Sequence, residues 1–578
     1  MRRILYLAAA LLCAASCGFK PKDGTHTLRI LTTNDVHGTY FDSLYTGEET
    51  RRSLMAASWY VDSVRTAAGK DNVLLLDAGD CLQGDNATYY FNYVDTLTPH
   101  IYPRLAAYMG YDAIAVGNHD IETGHPVYDR VAADLKAFGI PFLAGNAIRT
   151  DNGKPYFPLY TRLRRAGLDV LVLGYTNPNM KAWLSEEIWS GMDFKSLIPL
   201  VQQDVDKLTR KYKPQVVIVV MHSGTGKGDG TSLESQGLDL MNSLKGVDAL
   251  VCSHDHRPFT AQRPEMILVN SGSHSRNVGY GEISVTTKGG KVTGKQYMAG
   301  LIPIDKDKAD PAMRDAFRSD FEAVRAFTLK PVGTLAGDLV FRDAVKGPCP
   351  YMDLIHRVCL DCEGVQISFA APLNVRGNVK AGTLLFDDMF KLYPYENTLY
   401  VIRLTGAQIK DYLEYSYDNW LYGPQEGDGH VLKIAPTDDA RYGYKGWSFV
   451  NATYNFDSAA GINYTVDVGK GKGERIHILS LADGSIFDPA ASYNVAVTSY
   501  RGNGGGDLLP RGAGVDCSKI DEITVHKYPA IRDMIYNYIK DAGTLDLRTP
   551  RDGKPLGNWS FVPEDAADAI QADFDLVF

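Results

Sequence analysis

Six short runs dense in Val, Ile and Leu punctuate the first half of the chain. They are Leu28–Thr32, Val73–Asp77, Ala113–Val116, Val170–Gly174, Val216–Met221 and Ala249–Cys252. None alternates apolar with polar residues, so each reads as a strand covered on both faces. Longer stretches with helical character separate them, which predicts a layered α/β fold. Several runs end alike, in a small polar cluster: Thr33-Asn34-Asp35, Gly79-Asp80, Gly117-Asn118-His119, His222-Ser223-Gly224 and Ser253-His254-Asp255-His256. In layered α/β folds the strand ends face a shared crevice, where ligands usually sit.

At 578 residues the chain exceeds the size of one core, and two domains are expected. Asp307 to Lys330 carries charges with Met313, Phe317, Phe321 and Val324 at helical spacing. It reads as a helix connecting residues 25–306 to residues 331–578, with Pro331-Val332-Gly333 closing it. Hydrophobic residues at 45% and charged residues at 22% are ordinary for a globular protein. The net charge of −9, with no long basic run, argues against a nucleic-acid-wrapping surface. A locally positive pocket for a small nucleotide remains compatible with it.

Met1-Arg2-Arg3 is a positive start, Ile4 to Ala15 is almost unbroken apolar sequence, and Ala14-Ala15-Ser16 leads into Cys17. A run of about a dozen apolar residues fits a signal-peptide core better than a membrane span. Residues 1–17 are therefore expected to direct export. The cysteine after small residues resembles a bacterial lipoprotein processing site, which implies a lipid on Cys17; plain cleavage is the alternative. Six cysteines lie beyond it: Cys81, Cys252, Cys349, Cys359, Cys362 and Cys517. Cys359-Leu-Asp-Cys362 lacks the second pair that a zinc ribbon needs. A disulfide in this group and buried free thiols are equally compatible with the sequence.

The strand-end clusters offer carboxylate, imidazole and amide donors together. Asp35 and His37 are two residues apart, Asp80 can bridge two cations, and Asn118, His222, His254 and His256 complete the set. Such donors suit borderline to hard divalent ions (Mn, Zn, Fe, Mg or Co) and not a thiolate site. One histidine at a strand end would mean little. Five clusters in this order carry the signal.

That order, Asp-x-His, Gly-Asp, Gly-Asn-His-acid, His-Ser-Gly and His-x-His, resembles the calcineurin-like metallophosphoesterases. The resemblance implies a four-layer β-sandwich flanked by helices, with two ions at its strand ends. Asp35, His37, Asp80 and His256 would hold one, and Asp80, Asn118, His222 and His254 the other. His119 would be the catalytic histidine, and either Asp120 or Glu122 would orient it, Glu122 being favoured by position. The family's glycine before His-x-His is Ser253 here.

In the second half, Tyr393-Pro-Tyr-Glu-Asn397-Thr-Leu, Tyr454-Asn-Phe456-Asp and Ser499-Tyr500-Arg501-Gly-Asn503-Gly-Gly-Gly-Asp507 resemble the α/β substrate-binding domain of the periplasmic 5′-nucleotidase superfamily. Their wording is closest to the 2′,3′-cyclic-nucleotide 2′-phosphodiesterase/3′-nucleotidase branch. Two aromatic rings can sandwich a nucleobase, and by position these would be Phe456 and Tyr500. The resemblance also implies roles for Asp507, Arg376, Asn397 and Asn503 at nucleotide. With Tyr present 34 times, ordinary core packing is the competing reading for any one ring. Gly224–Gly230 lacks the Gly-Lys-Ser/Thr ending of a phosphate loop and reads as a mobile loop after His222.

The expected activity is hydrolysis of extracellular 2′,3′-cyclic and 3′-nucleotides to nucleoside and phosphate. A 5′-nucleotidase or nucleotide-sugar pyrophosphatase is the near alternative. A lipoprotein that only binds nucleotides is the remote one.

Overall fold

A computed structural model describes residues 19–47, 49–437, 446–547 and 558–578. The signal-peptide and Cys17 expectations fall outside these residues. Contacts divide the chain into two compact units, residues 1–181 with 186–326 and residues 182–185 with 327–578. Among the described residues no helix is long and apolar enough to cross a membrane.

All six apolar runs are strands: Gly24–Thr33, Val73–Asp77, Ala113–Ala115, Leu168–Tyr175, Val216–Met221 and Ala249–Val251. The first three lie in one six-stranded sheet, parallel to one another, and the last three in a second, also parallel. Antiparallel strands sit outside this parallel core: Asn277–Lys288 and Lys291–Pro303 in the first sheet, Tyr160–Arg165 and Phe259–Arg263 in the second.

The sheets pack face to face through Leu28, Ile30, Leu74 and Leu76 on one side and Val170, Val172, Ile218 and Val220 on the other. The far face of the second sheet is covered by Leu197, Val201, Val205 and Leu208 of the helix Leu197–Tyr212. Helix Leu54–Ala68 packs on the first sheet. Strands buried on both faces need no polar alternation, which is why these runs are uninterrupted. The result is a layered α/β unit with parallel strand ends gathered on one edge.

The stretch expected to be one helix from 307 to 330 is two, Pro311–Ala316 and Arg318–Thr328. The break is at Phe317 (φ −112°, ψ 18°), whose buried ring packs edge-on to Tyr108 and under the Arg104 guanidinium. Local helix periodicity yields there to a tertiary contact.

The second unit is also α/β. Its five-stranded sheet runs Ser458–Ala460, Ile367–Ala370, Ser492–Thr498, Thr398–Thr405, Thr524–Ala530, beside a three-stranded sheet centred on Ile462–Asp467. The helix Gly406–Trp420 starts in a capping box of Thr405 and Gln408 and buries Tyr412, Leu413, Tyr417 and Trp420. All six cysteines beyond Cys17 are free thiols, and Cys81, Cys252, Cys349 and Cys359 are buried.

Candidate metal centre

The carboxyl ends of the parallel strands bring the expected ligands into two clusters. Asp35, His37 and His256 form one and Asp80, His222 and His254 the other, with donor atoms in each within 4.8 Å of one another. Asn118 joins the second through Oδ1, 3.0 Å from His254 Nδ1.

The backbone is bent to achieve this. Asp35, His37, Asp80, His254 and His256 all have positive φ, between 47° and 69°. Non-glycine residues rarely adopt that region, and clusters of such residues mark sites where the surroundings hold a strained conformation in place. Here the loops hold one another: Asp35 N–H donates to Gly79 O (2.9 Å), His37 N–H to Asp80 O (3.0 Å) and His254 N–H to Asp35 Oδ2 (3.0 Å). Asn34, buried, adds a hydrogen bond from Nδ2 to Asp35 Oδ2 at 2.6 Å.

Hydrogen bonds also fix the imidazole tautomers. His222 Nδ1 donates to Ala78 O at 2.8 Å, and His37 Nδ1 to Gln83 O at 3.2 Å. Each ring then presents Nε2 as a lone pair. His222 Nε2 is buried without a hydrogen-bond partner, yet only 3.0 Å from Asp80 Oδ2. Two acceptors this close repel unless a proton or a divalent cation lies between them. His37 Nε2 likewise stands 3.0 Å from His256 Nε2. The donors and their directions thus fit divalent ions.

Electrostatics separate the two rings. Burial, with the neighbouring His274, pushes His37 down to about 3 and keeps it neutral. Burial opposes charge on His222 too, but the Asp80 carboxylate carries its pKa up to about 9. Asp80 resists its own burial and is held well below the usual carboxylate range by His222 and His119. Asp35 is raised by burial.

The two acids after His119 have separate places. Glu122 Oε2 accepts from His119 Nδ1. Asp120 faces the other way and accepts four backbone N–H groups: Gly117 (2.8 Å), Asp80 (3.0 Å), Cys81 (2.8 Å) and Leu82 (3.0 Å). Against burial, Glu122 and Asp80 raise His119 to about 10. Ser253 fills the place of the family's glycine with a working hydroxyl, donating to Ala78 O (2.9 Å) beside His222 Nδ1 (3.0 Å). His274 was not anticipated: its ring stacks on His37 with centroids 5.2 Å apart, and its N–H donates to Asp35 O. Only its place after a strand, in Gly272-Ser-His274, hinted at it.

In the second unit the two nucleotide-motif segments are tied together. Arg501 donates from Nε and Nη2 to Asp457 (3.1 and 2.7 Å) and from Nη1 to Asn455 Oδ1 (3.0 Å) and Gly505 O (2.9 Å). Its guanidinium lies 5.2 Å from the centre of the Tyr500 ring, and Nη2 also reaches Tyr454 O. The glycines permit this. A Cβ on Gly505 would sit 2.4 Å from the Tyr500 ring, and one on Gly506 2.3 Å from Asn455 Oδ1.

Phe456 requires a correction. Its ring is 0% exposed, stacked on Trp420 at 5.2 Å and 10° and edge-on to Phe449. It is core, with no face left for a base. Tyr454, two residues earlier and 40% exposed, carries the accessible ring of that segment, while Tyr500 is half-buried. Asp507 is exposed at φ 64° and pairs with Arg511 at 3.4 Å. Asn503 Nδ2 donates to Trp183 O (3.4 Å), and Asn397 Nδ2 to Tyr393 Oη (3.4 Å). Arg376 is exposed, with its guanidinium over Phe578. Arg501 and Asp457 lie 44 residues apart, and nothing local in the sequence marks them as partners.

Comparison with known proteins finds one family match in each half of the chain. Residues 28–258 match the family of calcineurin-like phosphoesterases, and residues 331–510 match the 5′-nucleotidase C-terminal domain. The chain is 24% identical to the 2′,3′-cyclic-nucleotide 2′-phosphodiesterase/3′-nucleotidase of Haemophilus influenzae, over 95% of this chain and 89% of that protein. It is 24% identical to a 5′-nucleotidase of Vibrio cholerae, over 70% and 80% respectively. A solved structure of a 5′-nucleotidase precursor from Thermus thermophilus superposes with TM-score 0.62 at 21% identity, covering 93% of this chain and all of that one. With its ligand-bearing strand ends, the chain belongs to the metallophosphoesterases that join a calcineurin-like phosphoesterase domain to a 5′-nucleotidase C-terminal domain.

Proposed function

We propose that this metal-dependent phosphoester hydrolase acts on extracytoplasmic 2′,3′-cyclic nucleotides and 3′-nucleotides, releasing nucleoside and phosphate. The observation that carries the reading is the pair of ligand clusters. The relatives' names supply the substrate class.

Asp35, His37, Asp80 and His256 would hold one divalent ion, and Asp80, Asn118, His222 and His254 the other; Mn, Zn, Fe, Mg and Co all suit these donors. When bound, such a pair lowers the pKa of a coordinated water and neutralises phosphoryl oxygens. The protein's own part is to place a proton. Glu122 occupies Nδ1 of His119, so Nε2 is the nitrogen that meets the leaving oxygen, as donor and as stabiliser of its charge. In the second domain Tyr500 and Tyr454 are the rings for the base, held by Arg501. Asp507, Asn503, Asn397 and Arg376 serve ribose and phosphate. Residues 1–17 export the protein, and a lipid on Cys17 anchors it to the membrane.

A 5′-nucleotidase is the second reading, supported by the Vibrio relative. Phosphate release from 2′,3′-cyclic AMP (with a monoesterase to report the opened ring), 3′-AMP and 5′-AMP in Mn²⁺ separates them. Turnover of the first two, abolished in His119→Ala, is expected. Turnover of 5′-AMP alone would reject the substrate assignment, and no turnover by a metal-loaded protein would leave a nucleotide-binding lipoprotein.

A further inference from the structure

The loop that leaves the centre at His222 returns to it at Glu234. The Glu234 carbonyl accepts three hydrogen bonds, from Ser223 Oγ, Gly224 N and Asn177 Nδ2, each at 3.0 Å. Gly226 lets the loop close, since a Cβ there would lie 2.1 Å from Ser235 O. A glycine-rich segment is thereby fixed at one residue. From that anchor the Glu234 carboxylate reaches His254 Nε2 at 3.4 Å. The other ring nitrogen, Nδ1, is the one 3.0 Å from Asn118 Oδ1.

We propose that Glu234 is a positioning residue for the second metal site, the outer carboxylate of a carboxylate–histidine–metal arrangement. The inference rests on the two-ion reading above. A neutral imidazole carries one N–H. With Glu234 accepting at Nε2, that proton stays there and Nδ1 keeps its lone pair. His254 Nδ1 and Asn118 Oδ1 then face each other as two acceptors, which is how two ligands converge on one cation. Outer hydrogen bonds of this kind fix ring orientation and raise ligand basicity. The equivalent partners of His37 and His222 are neutral carbonyls, Gln83 O and Ala78 O. Glu234 supplies charge as well as direction.

The test is titration calorimetry of Mn²⁺ into chelator-stripped full-length protein, with Glu234→Ala and Glu234→Gln beside the parent. The parent takes up two ions. Glu234→Ala should weaken one of the two sites by about 10–100-fold and leave the other unchanged. Glu234→Gln, whose amide oxygen still accepts from Nε2–H, should stay nearer the parent. Thermal unfolding of the stripped proteins should coincide, because the loop is anchored by a backbone carbonyl. Unchanged affinity at both sites in Glu234→Ala would overturn the proposal, as would equal weakening of both with a lowered melting temperature. A parent that binds no ion would instead defeat the two-ion reading itself.

Discussion

The backbone N–H of His119 donates to Oδ1 of Asp80 at 2.8 Å, while Oδ2 of the same carboxylate lies 3.0 Å from His222 Nε2. One side chain thus touches both a candidate ligand and the backbone of His119. Asp80→Asn keeps the shape and removes the charge. It should lose both ions, measured by metal content after desalting, and turnover should fall to background with them.

His119 and Glu122, joined through Nδ1, are the proposed proton-handling pair. His119→Ala should lower kcat by about 10²–10⁴-fold, the usual worth of a positioned acid, with little change in metal content. Glu122→Gln should lower kcat less and leave KM nearly constant, because Gln cannot support the imidazolium. Steady-state kinetics on 3′-AMP would show this split.

Asp120 predicts the opposite pattern. Its removal leaves four buried backbone donors without their acceptor, and each such group costs about 1–3 kcal/mol. Asp120→Ala should destabilise the first unit by about 3 kcal/mol or more in urea unfolding. Glu122→Gln should not shift the midpoint.

Phe456 and Tyr454 should separate folding from binding. Phe456→Ala opens a cavity beside Trp420 and should cost about 3–5 kcal/mol. Tyr454→Ala should leave stability within about 0.5 kcal/mol and raise KM for nucleotides, more for purines than for pyrimidines, since their larger face stacks better. Equal KM values for wild type and Tyr454→Ala would remove Tyr454 from the base site.

His356 is buried between Ser368 Oγ (3.1 Å) and Ser458 Oγ (3.4 Å), and burial pushes its pKa down to about 3. The unfolded chain binds that proton near pH 6.5 and the folded one does not. Its contribution is complete above about pH 6.5 and is lost as the pH falls, by about 1.4 kcal/mol per unit. Unfolding midpoints at pH 7 and pH 5 should differ accordingly, and His356→Gln should flatten the slope by one proton.

Where burial on both faces dictates composition, the sequence was readable. The six apolar runs are strands within a residue or two at most ends, because parallel strands inside two layers admit little else. The candidate ligands were readable for a different reason: one polar residue after a strand means little, but five such clusters in order point to a shared site. The second domain was harder. Tyr454 and Phe456 lie two residues apart in one segment, and only the turn Thr453–Asn455 before Phe456 decides which ring enters the core. Glu234 left no signal either, being twelve positions beyond His222 in a loop whose path depends on Ser223 and Asn177.

The positive-φ ligands restrict how this centre can be re-engineered. Among side chains with a Cβ, Asp, Asn and His are the ones that enter the left-handed region with least penalty, and they are also oxygen and imidazole donors. Conformational tolerance and coordination chemistry therefore select the same alphabet at Asp35, His37, Asp80, His254 and His256. Installing a thiolate or a longer carboxylate there, to favour a softer or larger ion, would set donor preference against backbone geometry. Altered metal selectivity is more accessible at Asn118 and His222, which have no such constraint.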